Sequence, residues 1–256
     1  MEITNPNHLS GSLSFKRSGR TGPVRLLCPS GALRVWGAYA LLMVLLAVPV
    51  FSTVLPPLFD YPNHLARMHL LAEGGNEFFA VQWGPLPNLA QDLIVPPLSR
   101  LIPLEIASKL FLVMVFGLIA GGTVWLNRAA TGRWRLWPLL AFLLLYNRIF
   151  LWGFLNYLFG IGLALVAAAA WLSLERKRWW VRILVSSTAS LLCYVSHIAA
   201  FGCYALVILG LEAAPGLGGL FARRWSTFLR RIVIAVPQFL IPSVSFSGIG
   251  IQQLQV

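Results

Sequence analysis

The chain has 256 residues, of which 58% are hydrophobic and only 11% charged. A typical soluble domain carries about 25% charged residues, which keep its surface dispersed in water, so this composition excludes an ordinary soluble enzyme or binding module. The net charge of +12 does not point to nucleic acid either, because the basic residues sit in short clusters between long apolar runs.

Residues 1–34 are rich in Gly, Ser and Pro and hold Lys16, Arg17, Arg20, Arg25 and Arg34. They read as a disordered, basic cytoplasmic tail. A cleaved signal peptide is not expected, since the following apolar run is long and no small-x-small site closes it. The first span is predicted at about Val35–Leu55, with Pro49 able to kink it. A mixed segment, 56–109, follows as one large extracytoplasmic loop. Two short helices fit there, at about Tyr61–Glu73 and about Asn88–Val95. The second span is predicted at about Leu110–Leu126, followed by a basic turn with Arg128, Arg133 and Arg135.

The run Leu136–Leu174 is too long for one span of about 20 residues. The polar pair Asn147–Arg148 divides it into two helices joined at the outer face. After the basic turn Arg176, Lys177, Arg178 and Arg182, the run Ile183–Leu211 divides in the same way at Ser196–His197. A last basic turn holds Arg223, Arg224, Arg230 and Arg231. The final run, Ile232–Ile251, is interrupted by Pro237 and Pro242. The expected fold is therefore all-α: a polytopic transmembrane helix bundle of about seven spans, with residues 35–256 as the transmembrane domain.

Charge tests this map. With the N-terminus inside, sixteen of the twenty Lys and Arg fall on the cytoplasmic side, and five of the eight acids fall outside. That asymmetry is the positive-inside pattern, and it places the C-terminus outside. Trp36, Trp134, Trp137, Trp179 and Trp180 flank the runs, where their rings suit the headgroup zone. Cys28, Cys193 and Cys203 have neither disulfide nor metal spacing and read as small apolar residues.

No phosphate loop, nucleophile elbow, zinc-protease motif or dinucleotide fingerprint is present. Chemistry must then come from polar groups at the outer face. In Phe59-Asp-Tyr-Pro-Asn-His-Leu-Ala-Arg67, Asp60, His64 and Arg67 stand at i, i+4 and i+7. They share one face of a helix starting near Tyr61. A carboxylate there can take a proton from an attacking hydroxyl, or hold a divalent metal. The guanidinium can fork onto phosphate oxygens. The plainer account makes Asp60 the N-cap of that helix, with Pro62 in its first turn. Asn88 and Asp92 form a second i, i+4 pair, or simply a solvated loop face. Arg148 and His197 are the ionisable groups deepest in apolar runs, a position that favours function. Against it, Arg148 can snorkel to headgroups and His197 can cap a helix end.

These features resemble the GT-C class of membrane glycosyltransferases, which use polyprenyl-phosphate sugars. The resemblance covers about residues 35–250. It rests on a short first span, a long first outer loop with two short helices, and an acid soon after the span, Asp60 in Phe-Asp-Tyr-Pro-Asn-His. Hairpins with polar outer turns follow, at Tyr-Asn-Arg148 and Ser-His197. Asp60 matches the position of the class's outer-loop acid but is followed by Tyr61, where many members have a second acid. Members are also usually longer, so a truncated form is expected.

The resemblance implies sugar transfer from a lipid-linked phosphate donor at the extracytoplasmic face of a bacterial inner membrane. Asp60 would be the catalytic acid, with a divalent metal as a conceivable cofactor. His64, Arg67, Asn88, Asp92, Arg148 and His197 are substrate-binding candidates on chemical grounds alone. The competing expectation is a transporter or non-catalytic membrane scaffold.

Overall fold

The computed structural model describes residues 29–240, apart from Gln82, Pro85 and 222–224. Cys28, most of the N-terminal tail, Arg223, Arg224, and the end of the last apolar run with the C-terminus lie outside the described residues. The described chain is helical. Its one piece of extended pairing is an isolated antiparallel bridge between Gly75 and Ala80.

Among the described residues, nine α-helices follow in chain order: α1 (Pro29–Ser52), α2 (Tyr61–Glu73), α3 (Ala90–Ser99), α4 (Leu104–Thr131), α5 (Arg148–Trp152), α6 (Leu155–Ser173), α7 (Trp179–Ser196), α8 (Ile198–Phe221) and α9 (Trp225–Ala235). Among the described residues three stretches, Gly31–Ser52, Leu104–Thr131 and Leu155–Ser173, are long and apolar enough to cross a membrane. Trp137–Trp152 and Ile198–Ala213 are shorter apolar stretches.

Three elements differ from the sequence expectation. α1 starts at Pro29, ahead of Val35, where proline's fixed φ suits a first helical turn. The segment before α5, Trp137–Leu144, is a 3-10 helix rather than an α-helix. A 3-10 helix rises about 2.0 Å per residue, so these eight residues reach further than an α-helical turn count suggests. α4 is longer than expected at both ends. It begins after Pro103 and ends at Gly132, whose φ of 73° terminates it in a left-handed cap.

α6 is the hub, packing against α4, α7 and α8. The α4–α6 crossing depends on two glycines. A methyl group on Gly122 would sit 2.8 Å from Leu165 Cβ, and one on Gly162 would sit 2.5 Å from Leu118 Cβ. In lipid there is no hydrophobic drive to join apolar helices, so such close backbone approach supplies the packing contacts that do. Phe111 stacks on Phe159 across the same interface at 5.2 Å. α1 lies at the periphery, exposing Leu41, Val44, Leu45 and Val48, as expected of a surface solvated by acyl chains.

Lys109, on α4, is buried and donates a 2.6 Å hydrogen bond to the Thr53 carbonyl just beyond α1. It satisfies a carbonyl that the end of α1 leaves without a helical partner. This fixes where the 56–109 segment leaves the bundle.

Candidate functional site

Helix α2 starts because Tyr61 and Pro62 supply its first turn, and it stops at Gly74, whose φ of 83° makes a left-handed cap. Asp60 occupies the N-cap position, but its side chain makes no bond to a helix N–H. Its Oδ1 instead accepts a 2.7 Å hydrogen bond from the Asn63 side-chain amide. Its Oδ2 lies 3.4 Å from His64 Nε2, and the carboxylate is 44% exposed. The capping explanation for Asp60 therefore lacks its defining hydrogen bond.

His64 Nε2 is also 2.8 Å from the Gly153 carbonyl. A carbonyl can only accept, so this nitrogen carries the proton. Gly153 ends α5 with a φ of 95°. A methyl group there would lie 2.8 Å from Asp60 Cβ. Phe59 N–H donates to the Leu151 carbonyl at 2.8 Å. The acid is thus seated directly on the turn that closes the short helix α5.

Arg148 opens α5, where Asn147 caps the helix by accepting from Phe150 N–H at 3.0 Å. The Arg148 guanidinium lies over the Trp152 ring at 4.9 Å, a favourable cation–π arrangement. Arg148, Ile149, Trp152 and Phe154 line an open depression of about 270 Å³. Asp60 does not line this depression. The two groups meet through the Leu151–Phe154 backbone, not across one cavity.

Arg67 and Asp92, expected as independent substrate groups, hold each other in a forked ion pair. The hydrogen bond to Asp92 raises the Arg67 pKa, against an opposing effect of burial. Asn88 does not share a helix face with Asp92, because α3 begins only at Ala90 and Asn88 is left-handed with a φ of 79°. Its contribution is its backbone carbonyl, which accepts from Asn156 Nδ2 at 2.7 Å.

His197 forms the break between α7 and α8. Its Nδ1 accepts from Ala199 N–H at 3.1 Å, and its ring meets Tyr157 edge-on at 5.5 Å. Burial lowers its pKa.

Asn156, not among the expected site residues, holds the candidate site together. Buried at the start of α6, its Oδ1 accepts from Gln91 N–H at 2.8 Å while its Nδ2 serves Asn88. Leu89 N–H donates to the Val195 carbonyl at 2.9 Å. Together these bonds dock the start of α3 onto the start of α6 and the end of α7. The available signal was a lone amide early in an otherwise apolar helix.

The arrangement places one exposed carboxylate, one imidazole and one stacked guanidinium on neighbouring turns. It does not fit a divalent metal. Hard cations of this kind take several oxygen ligands, yet Asp92 is committed to Arg67, and His64 Nε2 to Gly153. Among the described residues no three His, Cys, Asp or Glu side chains come together as a ligand group. No model of a known protein family matches the chain, and neither a curated protein nor a solved structure matches it.

Proposed function

We propose that the chain is a membrane glycosyltransferase-like protein acting on a lipid-linked phosphate sugar at the extracytoplasmic face of a bacterial inner membrane. In this reading the helices make seven crossings with the N-terminus inside, the loop 56–109 lies outside, and α5–α6 and α7–α8 turn at the outer surface. The observation that carries it is Asp60, an exposed carboxylate free of helix-capping duty and set on the Gly153 turn that closes α5, the short helix that Arg148 opens.

Asp60 takes the proton of the acceptor hydroxyl as its oxygen bonds to the anomeric carbon. The bond from that carbon to the phosphate oxygen breaks, and the lipid phosphate leaves with the electron pair. Arg148 neutralises the leaving phosphate. His64, held by the Gly153 carbonyl, sets its ring beside the Asp60 carboxylate and limits how that carboxylate turns.

The test is Asp60→Asn. Asn keeps the size but cannot take a proton at neutral pH. Turnover of a polyprenyl-phosphate sugar, normalised to folded protein in membranes, should fall by at least a hundredfold, within the usual range for a lost general base. Turnover like that of the unaltered protein removes Asp60 from the mechanism.

One observation favours transport as a second reading. Arg182, Ser186, Ser190 and Tyr194 repeat every four residues along the buried side of α7. The Ser190 and Tyr194 hydroxyls and both side-chain amide atoms of Gln91 are buried without a partner among the described residues. Unpaired polar groups at depth are costly and suit a polar path. Solute flux into proteoliposomes that Ser190→Ala and Tyr194→Phe abolish would favour this reading over sugar transfer.

A further inference from the structure

At the opposite end of the bundle, α1 and α4 diverge around an open groove of about 390 Å³, lined by Trp36, Tyr39, Gly117, Gly121, Trp125 and Trp134 among others. This is within the usual size of a ligand pocket. Its floor is the Gly117–Gly121 face of α4, against which the Tyr39 side chain rests. Its walls are aromatic: Trp36 meets Trp134 at 6.0 Å and Tyr39 at 5.2 Å. The one polar group reaching in, the Tyr39 hydroxyl, is consumed by the Gly117 carbonyl at 2.9 Å. The groove therefore offers an occupant almost no hydrogen bonds and a continuous apolar surface.

Its mouth is strongly basic. The Arg128 guanidinium stands 5.6 Å from the Trp134 ring, and Arg133 and Arg135 flank the same tryptophan in sequence. None of the three pairs with a carboxylate among the described residues. The acids nearest in the fold's basic end, Glu175 and Glu212, are already held by Arg182 and Arg231. An apolar slot under unneutralised guanidinium groups, in a chain with membrane-crossing helices, matches an amphiphile with a hydrocarbon tail and a negative head.

We propose that this groove binds one anionic phospholipid, with an acyl chain laid along the aromatic walls between α1 and α4 and the headgroup phosphate at Arg128 and Arg133. The proposal does not depend on sugar transfer. Bound lipid fills the cleft that α1, the most peripheral long helix, leaves against α4.

The experiment measures lipid retention by the full chain in mixed micelles, using native mass spectrometry. Dioleoyl phosphatidylglycerol competes with dioleoyl phosphatidylcholine at equal concentration. One phosphatidylglycerol should be retained preferentially. Arg128→Gln should lower that preference about fivefold, and Arg128→Gln with Arg133→Gln about thirtyfold, from the usual worth of a basic residue at a lipid surface. Gly121→Leu fills the groove at unchanged charge and should lower retention of the same lipid. Arg100→Gln removes one charge from the far loop and should change nothing. The proposal is overturned if phosphatidylglycerol shows no preference, or if Arg100→Gln lowers it as much as Arg128→Gln does. It is also overturned if an equimolar polyprenyl phosphate displaces the phospholipid and is itself lost with the same arginines.

Discussion

Arg67 and Asp92 are locked together: Nε lies 3.0 Å and 3.2 Å from the two carboxylate oxygens, and Nη2 lies 2.5 Å from Oδ2. The pair ties α2 to α3 across a stretch of chain that includes the Gly74–Gly75 turn. It is lopsided, since the Asp92 side chain is 2% exposed and that of Arg67 is 59% exposed.

That asymmetry sets the first prediction. Arg67→Met leaves a buried carboxylate unpaired and should cost about 2–3 kcal/mol. Asp92→Leu leaves an arginine that can turn to water and should cost about 1 kcal/mol or less. The double variant should resemble Asp92→Leu. Denaturant unfolding of the purified protein measures all three, and equal losses from the two single changes would mean that the burial difference has no energetic weight.

Gly153 and Gly132 make a controlled pair. Both have positive φ, but a methyl group at Gly132 meets only Arg128 Nη1 at 4.0 Å, while one at Gly153 meets Asp60 Cβ at 2.8 Å and Asp60 N at 3.3 Å. Gly132→Ala should cost about 1–2 kcal/mol from backbone strain alone. Gly153→Ala should cost clearly more and displace Asp60, so that any turnover falls beyond what lost folded protein explains. Melting temperatures that drop equally would show that the α5 turn does not hold the acid in place.

His197 gives a pH prediction with a definite sign. Burial lowers its pKa below the ordinary 6.5, so the folded protein binds this proton less readily than the unfolded chain. Stability therefore falls as pH decreases through the range just below 6.5. Protonation of Nδ1 would also remove the acceptor for Ala199 N–H. Asn can keep a capping oxygen without titrating. His197→Asn should accordingly flatten the change in melting temperature between pH 7.5 and about pH 5.5, and an unchanged pH profile would clear His197 of the effect.

Orientation is tested with reporter fusions. Joined after Gly132 or after Leu174, the reporter should read cytoplasmic. Inserted between Gly74 and Gly84, or at the His197 break, it should read extracytoplasmic. An inside signal from the first loop contradicts the charge-derived topology, while an inside signal at His197 alone means that α7 and α8 do not form a membrane-spanning hairpin.

The amino-acid sequence by itself determined that the described chain is helical and where most of its helices lie, though not the 3-10 winding of Trp137–Leu144 or the full length of α4. Long apolar runs, the Tyr61–Pro62 start and the polar pair before Ile198 act over a few residues, so they are visible without a fold. For the same reason the Asp60–His64 contact, one helical turn apart, was legible. What the tertiary structure decided is everything that joins distant turns. Arg67 chooses Asp92, 25 residues away. Asn156 bridges to Asn88 and Gln91, 68 and 65 residues away. His64 leans on Gly153 at a separation of 89. In an apolar bundle few polar side chains have water to turn to, so each takes whatever partner helix packing brings within reach. That packing is governed by glycine approaches such as Gly122 to Leu165, whose effect depends on two helices being present at once.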